Sequence, residues 1–127
     1  MRRPATLLRP KRSFATPDAY SWLDTLNDRI LRGCQAVIDD NGLDAYPVGI
    51  SSKGCVTFSP VRITDYVTFK ENQDEELSEL AWLFNVNRGI FMTPGREEEW
   101  TLSVTHTFEH VDRYVEVFDE LARELTA

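Results

Sequence analysis

The sequence predicts an α+β domain: a three- to four-stranded antiparallel sheet with helices packed on one face, in the order α-β-β-α-β-β-α. Three observations lead there. Apolar residues recur at three- and four-residue spacing in three stretches, near residues 17–41, 73–87 and 107–125, as amphipathic helices require. Short runs with period-two alternation lie between them, bounded by turn residues. No strand, glycine-rich loop and helix follow one another, which argues against a doubly wound nucleotide-binding sheet. With 127 residues the chain suits a single core, and a domain of this size hides roughly two-thirds of its unfolded surface without help from disulfides or metals.

The first helix opens at Thr16-Pro17, a good N-cap followed by a proline suited to the first helical position. Its apolar stripe is Tyr20, Leu23, Leu26, Ile30, Leu31, Cys34, Val37 and Ile38, and Asn41-Gly42 supplies a left-handed stop. Cys34 lies on that stripe and reads as a small core residue. Residues 46–50 and 55–59 read as two strands, through Val48/Ile50 and Val56/Phe58, with residues 51–54 as the turn. Residues 60–70 fit no period. Asn72 then reads as an N-cap with Glu75 at the capping-box position, opening a helix whose inner face is Leu77, Leu80, Ala81 and Phe84 and which stops at Asn87-Arg88-Gly89. Residues 90–93 and 100–104 are expected to be the last two strands. The final helix begins near Thr107 and buries Val111, Tyr114, Val115, Phe118, Leu121, Ala122 and Leu125.

The net charge of −7 is unevenly spread. Arg2, Arg3, Arg9, Lys11 and Arg12 lie in a first segment, 1–16, that has no acid; nine basic against 21 acidic residues leave 17–127 at −12. An acidic body repels phosphate backbones, so the folded part is not expected to bind nucleic acid. The basic arm 1–16 reads as a disordered, solvated tail, with polyanion binding or a transit-peptide-like role as alternatives. It lacks the apolar centre of a secretory signal, and no run of about 18 apolar residues would span a bilayer. Cys34 and Cys55 do not make a disulfide framework. Together these features point to a cytoplasmic chain with no membrane partner.

Three chemistries are worth weighing. His106-Thr107-Phe108-Glu109-His110 has the H-x-x-E-H order of an inverted zinc-hydrolase signature. Zinc would need both histidines on one helix face and a further ligand, whereas Thr107 as N-cap places His106 outside the helix. The string is better read as a helix start, and no metal ligands are assigned. The run Arg96-Glu97-Glu98-Glu99 could do acid–base work or rim a binding pocket, although adjacent residues at a strand start point alternately and such runs are usually solvated. Of the lysines, Lys11 lies in the arm, Lys53 in a turn and Lys70 before a helix, so none has the burial that makes a Schiff-base nucleophile. No catalytic residue is assigned in this chain.

The ordered string from Tyr20 to Ala127 resembles the C-terminal small domain of class III (fold type I) pyridoxal-phosphate (PLP) aminotransferases, nearest to the glutamate-1-semialdehyde 2,1-aminomutase-like branch. The residues that carry the resemblance are Lys53-Gly54-Cys55-Val56-Thr57-Phe58-Ser59-Pro60, then Arg62, Tyr66 and Phe69, then Asn87-Arg88-Gly89-Ile90-Phe91 with Pro94. The most telling segment is Trp100-Thr101-Leu102-Ser103-Val104-Thr105-His106-Thr107, followed by Glu109, Val111, Asp112, Arg113 and Tyr114. The resemblance implies a parent reaction of PLP-dependent amino-group transfer and a large domain that supplies the cofactor lysine, the pyridinium partner and the phosphate loop. It implies no cofactor-binding residue in this chain. Its loop between the last two strands would line the substrate entrance through Gly95, Arg96, Glu98 and Trp100, with Glu98 at the place of an acid found in the aminomutase branch. Leu102 stands where many ω-aminotransferases carry a carboxylate-binding arginine, so the substrate class stays open. The expectation is a truncated or free-standing C-terminal domain, inactive alone, that partners a PLP-binding large domain or a second subunit, with a dimer or other homo-oligomer implied. The alternatives are a non-catalytic interaction module that self-associates or docks on a partner, and, further off, a small zinc hydrolase.

Overall fold

A computed structural model describes residues 15–94 and 99–127. The elements are α1 (Pro17–Asn41), β1 (Tyr46–Ile50), β2 (Lys53–Thr57), α2 (Tyr66–Asn72), α3 (Glu75–Asn87), β3 (Trp100–Thr101) and α4 (Phe108–Thr126). The strands form one antiparallel sheet in the order β1-β2-β3. The α+β class and the antiparallel sheet are as the sequence predicts.

Helix α1 starts where its cap dictates: the Thr16 hydroxyl accepts the Ala19 N–H at 3.2 Å, and Pro17 fills the first turn. It ends because Gly42 adopts φ 65°, which only glycine takes without strain, and returns its N–H to the Ile38 carbonyl. The helix is packed along its length against α4. Leu26, Ile30, Cys34, Val111 and Val117 are the largest side chains fully enclosed between these elements and the sheet. The two helices come closest at Gly33, where an added Cβ would sit 2.7 Å from the Val115 side chain. From the middle of α1, Arg29 grips Asp112 near the start of α4 through two bonds, at 2.7 and 2.9 Å, and lies 4.6 Å over the Phe108 ring. Burial of Cys34 pushes its thiol up to about 12, by desolvation of the thiolate, so it behaves as a small apolar residue, as its place on the stripe suggests.

Several local expectations are corrected. The hairpin turn is two residues, not four: β2 begins at Lys53, because Ser51 takes the left-handed φ of 54° that closes a tight turn. Residues 66–72, within and beyond the stretch that fitted no period, form α2, capped by Asp65 on Thr68 N–H at 2.8 Å with Thr68 returning the bond. These hydrogen bonds hold the Asp65 carboxyl below the usual carboxylate range. Asn72 closes α2, donating its Nδ2–H to the Thr68 carbonyl at 2.9 Å, and does not cap the start of α3; Asp74 does, by accepting Leu77 N–H at 2.9 Å. The buried stripe of α3 is Ser78, Ala81, Phe84 and Asn85, and Leu80 is exposed. Tyr20 is likewise exposed, on the outer side of α1.

Residues 90–93 are not a strand. Their backbone is held by α3: Ile90 N–H donates to the Asn85 carbonyl at 2.9 Å, and the Met92 carbonyl accepts Trp82 Nε1–H at 3.0 Å. With those groups engaged by a helix, the segment has no ladder to make with β3. The observed order is therefore α-β-β-α-α-β-α, with β3 shortened to two residues and extended only by Leu102 N–H on the Ser52 carbonyl, 2.8 Å. Most of the basic arm lies outside the described residues.

Candidate functional site

Of the four loop residues singled out, Gly95, Arg96 and Glu98 lie outside the described residues, as does Glu97. Trp100 is described, and it is a core residue as much as an entrance residue. Its indole Nε1–H donates to the buried Asn27 Oδ1 at 2.8 Å, and its ring meets Tyr114 edge-on at 5.4 Å. The sheet makes room for it at Gly54, where a Cβ would fall 2.3 Å from the indole. Asn27 also donates its Nδ2–H to the Lys53 carbonyl at 3.2 Å, so one amide ties α1 to both β2 and β3. Asn27 escapes a search for chemistry because amides rarely carry any. Its signal is positional: an amide on the buried stripe between Leu23 and Ile30 needs partners.

Beyond the β3 edge lies a cleft of about 480 Å3. Met92, Trp100, Leu102 and Val111 form its apolar wall, and His106, His110, Arg113 and Glu99 stand among its polar lining. The charge of Glu99 is answered by Lys53 Nζ at 3.7 Å.

The two histidines are fixed by the backbone. Ser103 N–H donates to His106 Nδ1 at 2.8 Å, and Thr107 N–H donates to His110 Nδ1 at 3.1 Å. The rings stand perpendicular, 5.6 Å apart. His106 precedes the N-cap Thr107 and His110 sits in the first turn of α4, the helix-start arrangement expected from Thr107. The His106 carbonyl accepts Trp22 Nε1–H at 3.2 Å, which ties this junction to α1. Among the described residues no group of three His, Cys, Asp or Glu side chains is placed to hold a metal ion. No helix among them is long and apolar enough to cross a membrane.

A three-stranded antiparallel sheet under two long helices is a fold that this chain shares with part of solved aminomutase and transaminase structures. A glutamate-1-semialdehyde-aminomutase from Pseudomonas aeruginosa PAO1 matches it with a TM-score of 0.82 at 18% identity, over 90% of this chain and 25% of that one. A transaminase with PLP bound matches with a TM-score of 0.68 at 16% identity, over 88% and 24%. In sequence the chain is similar to the glutamate-1-semialdehyde 2,1-aminomutase of Desulforudis audaxviator, 29% identical over 112 residues. That alignment takes in 88% of this chain and 26% of the relative, so the chain spans about a quarter of the length of the aminomutases it matches. No family model matches the chain. The resemblance seen in the sequence, to class III aminotransferases of the aminomutase branch, thus holds in fold and in sequence over nearly the whole chain.

The described residues do not fit a PLP-linking centre. Lys53 is more than half exposed and paired with Glu99, Lys70 lies on the exposed side of α2, and no lysine lines the cleft. Such a centre needs an amine enclosed beside the cofactor.

Proposed function

We propose that this chain is the C-terminal small domain of a glutamate-1-semialdehyde aminotransferase-like enzyme, a lid that works against a PLP-binding large domain. The reaction of the assembled enzyme is amino-group transfer; the cofactor supplies the electron sink when it is bound. The chain alone has no cofactor lysine and no transaminase activity. The observation that carries this reading is the pairing of coverage with exposure. The chain aligns almost entirely with a quarter of much longer enzymes, and among the described residues no helix other than α1 runs with its backbone close to β1 or β2. The sheet face turned away from α1 presents Ile50, 80% exposed, beside Val48 and Cys55. Docking of a large domain there would cover it, and the loop before Trp100, with Gly95, Arg96 and Glu98, would then reach the substrate side.

The test is complementation. Added to a glutamate-1-semialdehyde 2,1-aminomutase from which the matching stretch has been deleted, the chain is expected to form a stoichiometric complex and to restore turnover. A chain that stays unbound at high concentration would defeat the reading. Borohydride treatment of the chain with PLP is expected to leave its mass unchanged; a pyridoxyl adduct on Lys53 or Lys70 would overturn the statement that it is inactive alone.

The exposed Ile50 on the same face favours self-association as the second reading, because a second copy would cover it. Sedimentation across a concentration series separates the two: a homo-oligomer that persists in the presence of the truncated enzyme supports the second.

A further inference from the structure

We propose that the cleft beyond β3 binds a small molecule with an apolar body and one anionic head, of the arylalkyl carboxylate class. The volume, about 480 Å3, falls within the range of small-molecule sites. The wall is of the kind that holds an apolar body: Met92, Trp100 and Leu102 are buried and held in place, Trp100 by Asn27 and Tyr114, Met92 by the Trp82 bond to its carbonyl. Phe91, 86% exposed, also lines the cleft and adds a large ring to its apolar surface.

The polar lining selects the head. Because Nδ1 of each histidine accepts a backbone N–H, each neutral ring carries its proton on Nε2, so the atom left to meet a ligand is a donor in both. Arg113 adds a guanidinium, with Glu116 at 3.5 Å and Glu120 at 3.9 Å as its carboxylate neighbours on α4. Among the described lining residues the carboxylate is Glu99, which has Lys53 Nζ at 3.7 Å to balance its charge. Two fixed donors and a cation around an apolar hollow suit an acid and not an amine. This inference rests on the proposed function only in setting the cleft on the substrate side. It is tested on the chain by itself, so its failure and a failure of complementation are separate results.

The probe is 4-phenylbutyrate against its neutral amide, 4-phenylbutyramide, followed by the NMR shifts of the His106 and His110 imidazoles and the Trp100 indole. The acid is expected to bind saturably and about tenfold more tightly than the amide, the difference that a charge-assisted hydrogen bond makes. Arg113→Gln is expected to remove most of that difference while leaving amide binding as it was. Phe91→Ala, at a position too exposed to matter for folding, is expected to weaken both ligands alike. Equal affinity for acid and amide, or shifts that never saturate, would overturn the proposal. So would binding unaffected by both substitutions, which marks an adventitious additive only.

Discussion

The two sides of the sheet are built to different standards. On the helix side, Leu26, Ile30, Cys34, Val111 and Val117 are all but fully enclosed, and the buried amide Asn27 beside them has its oxygen and its nitrogen bonded. On the other side Ile50 is open, and the chain at Arg62 and Ile63 meets Tyr46, with Ile63 N–H on the Tyr46 hydroxyl at 2.8 Å. Tyr66 and Val67 of α2 are open too. The difference teaches that the enclosed core lies on the helix side, where α1, α3 and α4 meet the sheet, whereas Ile50, Tyr66 and Val67 are the apolar residues that the proposed large domain would cover.

That contrast can be broken at its strong side first. Leu26→Ala opens a cavity in the most enclosed part of the core and is expected to cost about 3 kcal/mol, lowering Tm by roughly 10 °C in a thermal melt. Asn27→Ala leaves the Trp100 indole N–H and the Lys53 carbonyl without their partner. An expected loss of about 2 kcal/mol in urea titration, with a change in Trp100 fluorescence, would show that the amide holds β3 in place.

A smaller effect is expected at the Arg29–Asp112 pair. The hydrogen bonds from Arg29 hold the Asp112 carboxyl below the usual range and raise the Arg29 guanidinium in turn. A depressed folded-state value means stabilisation that is present above the unfolded carboxylate range, near pH 4, and is lost as the pH falls through the lower folded value. Asp112→Asn should therefore flatten the acid limb of the stability profile and leave the profile near neutrality almost parallel to that of the parent. Both groups are exposed, so the effect should shrink further in high salt. Smallest of all, Ile50→Ser on the open face is expected to change stability by less than about 0.5 kcal/mol while reducing any self-association or large-domain binding. A destabilisation as large as that of Leu26→Ala would mean that the face is packed within the monomer after all.

The sequence made the helix ends and the class legible because each rests on a local rule. Thr16-Pro17, Gly42 and Thr107 act on backbone groups within a few residues of themselves, and all three stand where the residues indicate. What stayed hidden depends on partners far away in the chain. Residues 90–93 have a strand's composition, yet Asn85 and Trp82 take their backbone groups. Asn72 and Asp74 are both plausible caps, and the choice follows from α2, whose existence no periodicity announced. At the site, Trp100 was visible as a candidate, but the amide that orients it and the backbone bonds that fix His106 and His110 belong to tertiary structure. Family resemblance located the loop; it did not indicate the cleft beside it.

The hydrogen bond between Asn27 and Trp100 joins residues 73 apart in the chain. Closing so long a segment is entropically expensive, whereas the β1–β2 hairpin and each helix can form from near neighbours. The third strand is thus expected to dock late, after the folding barrier, and Asn27→Ala should speed unfolding while hardly slowing folding. The edge that borders the cleft would then be the part of the domain that opens soonest and most often.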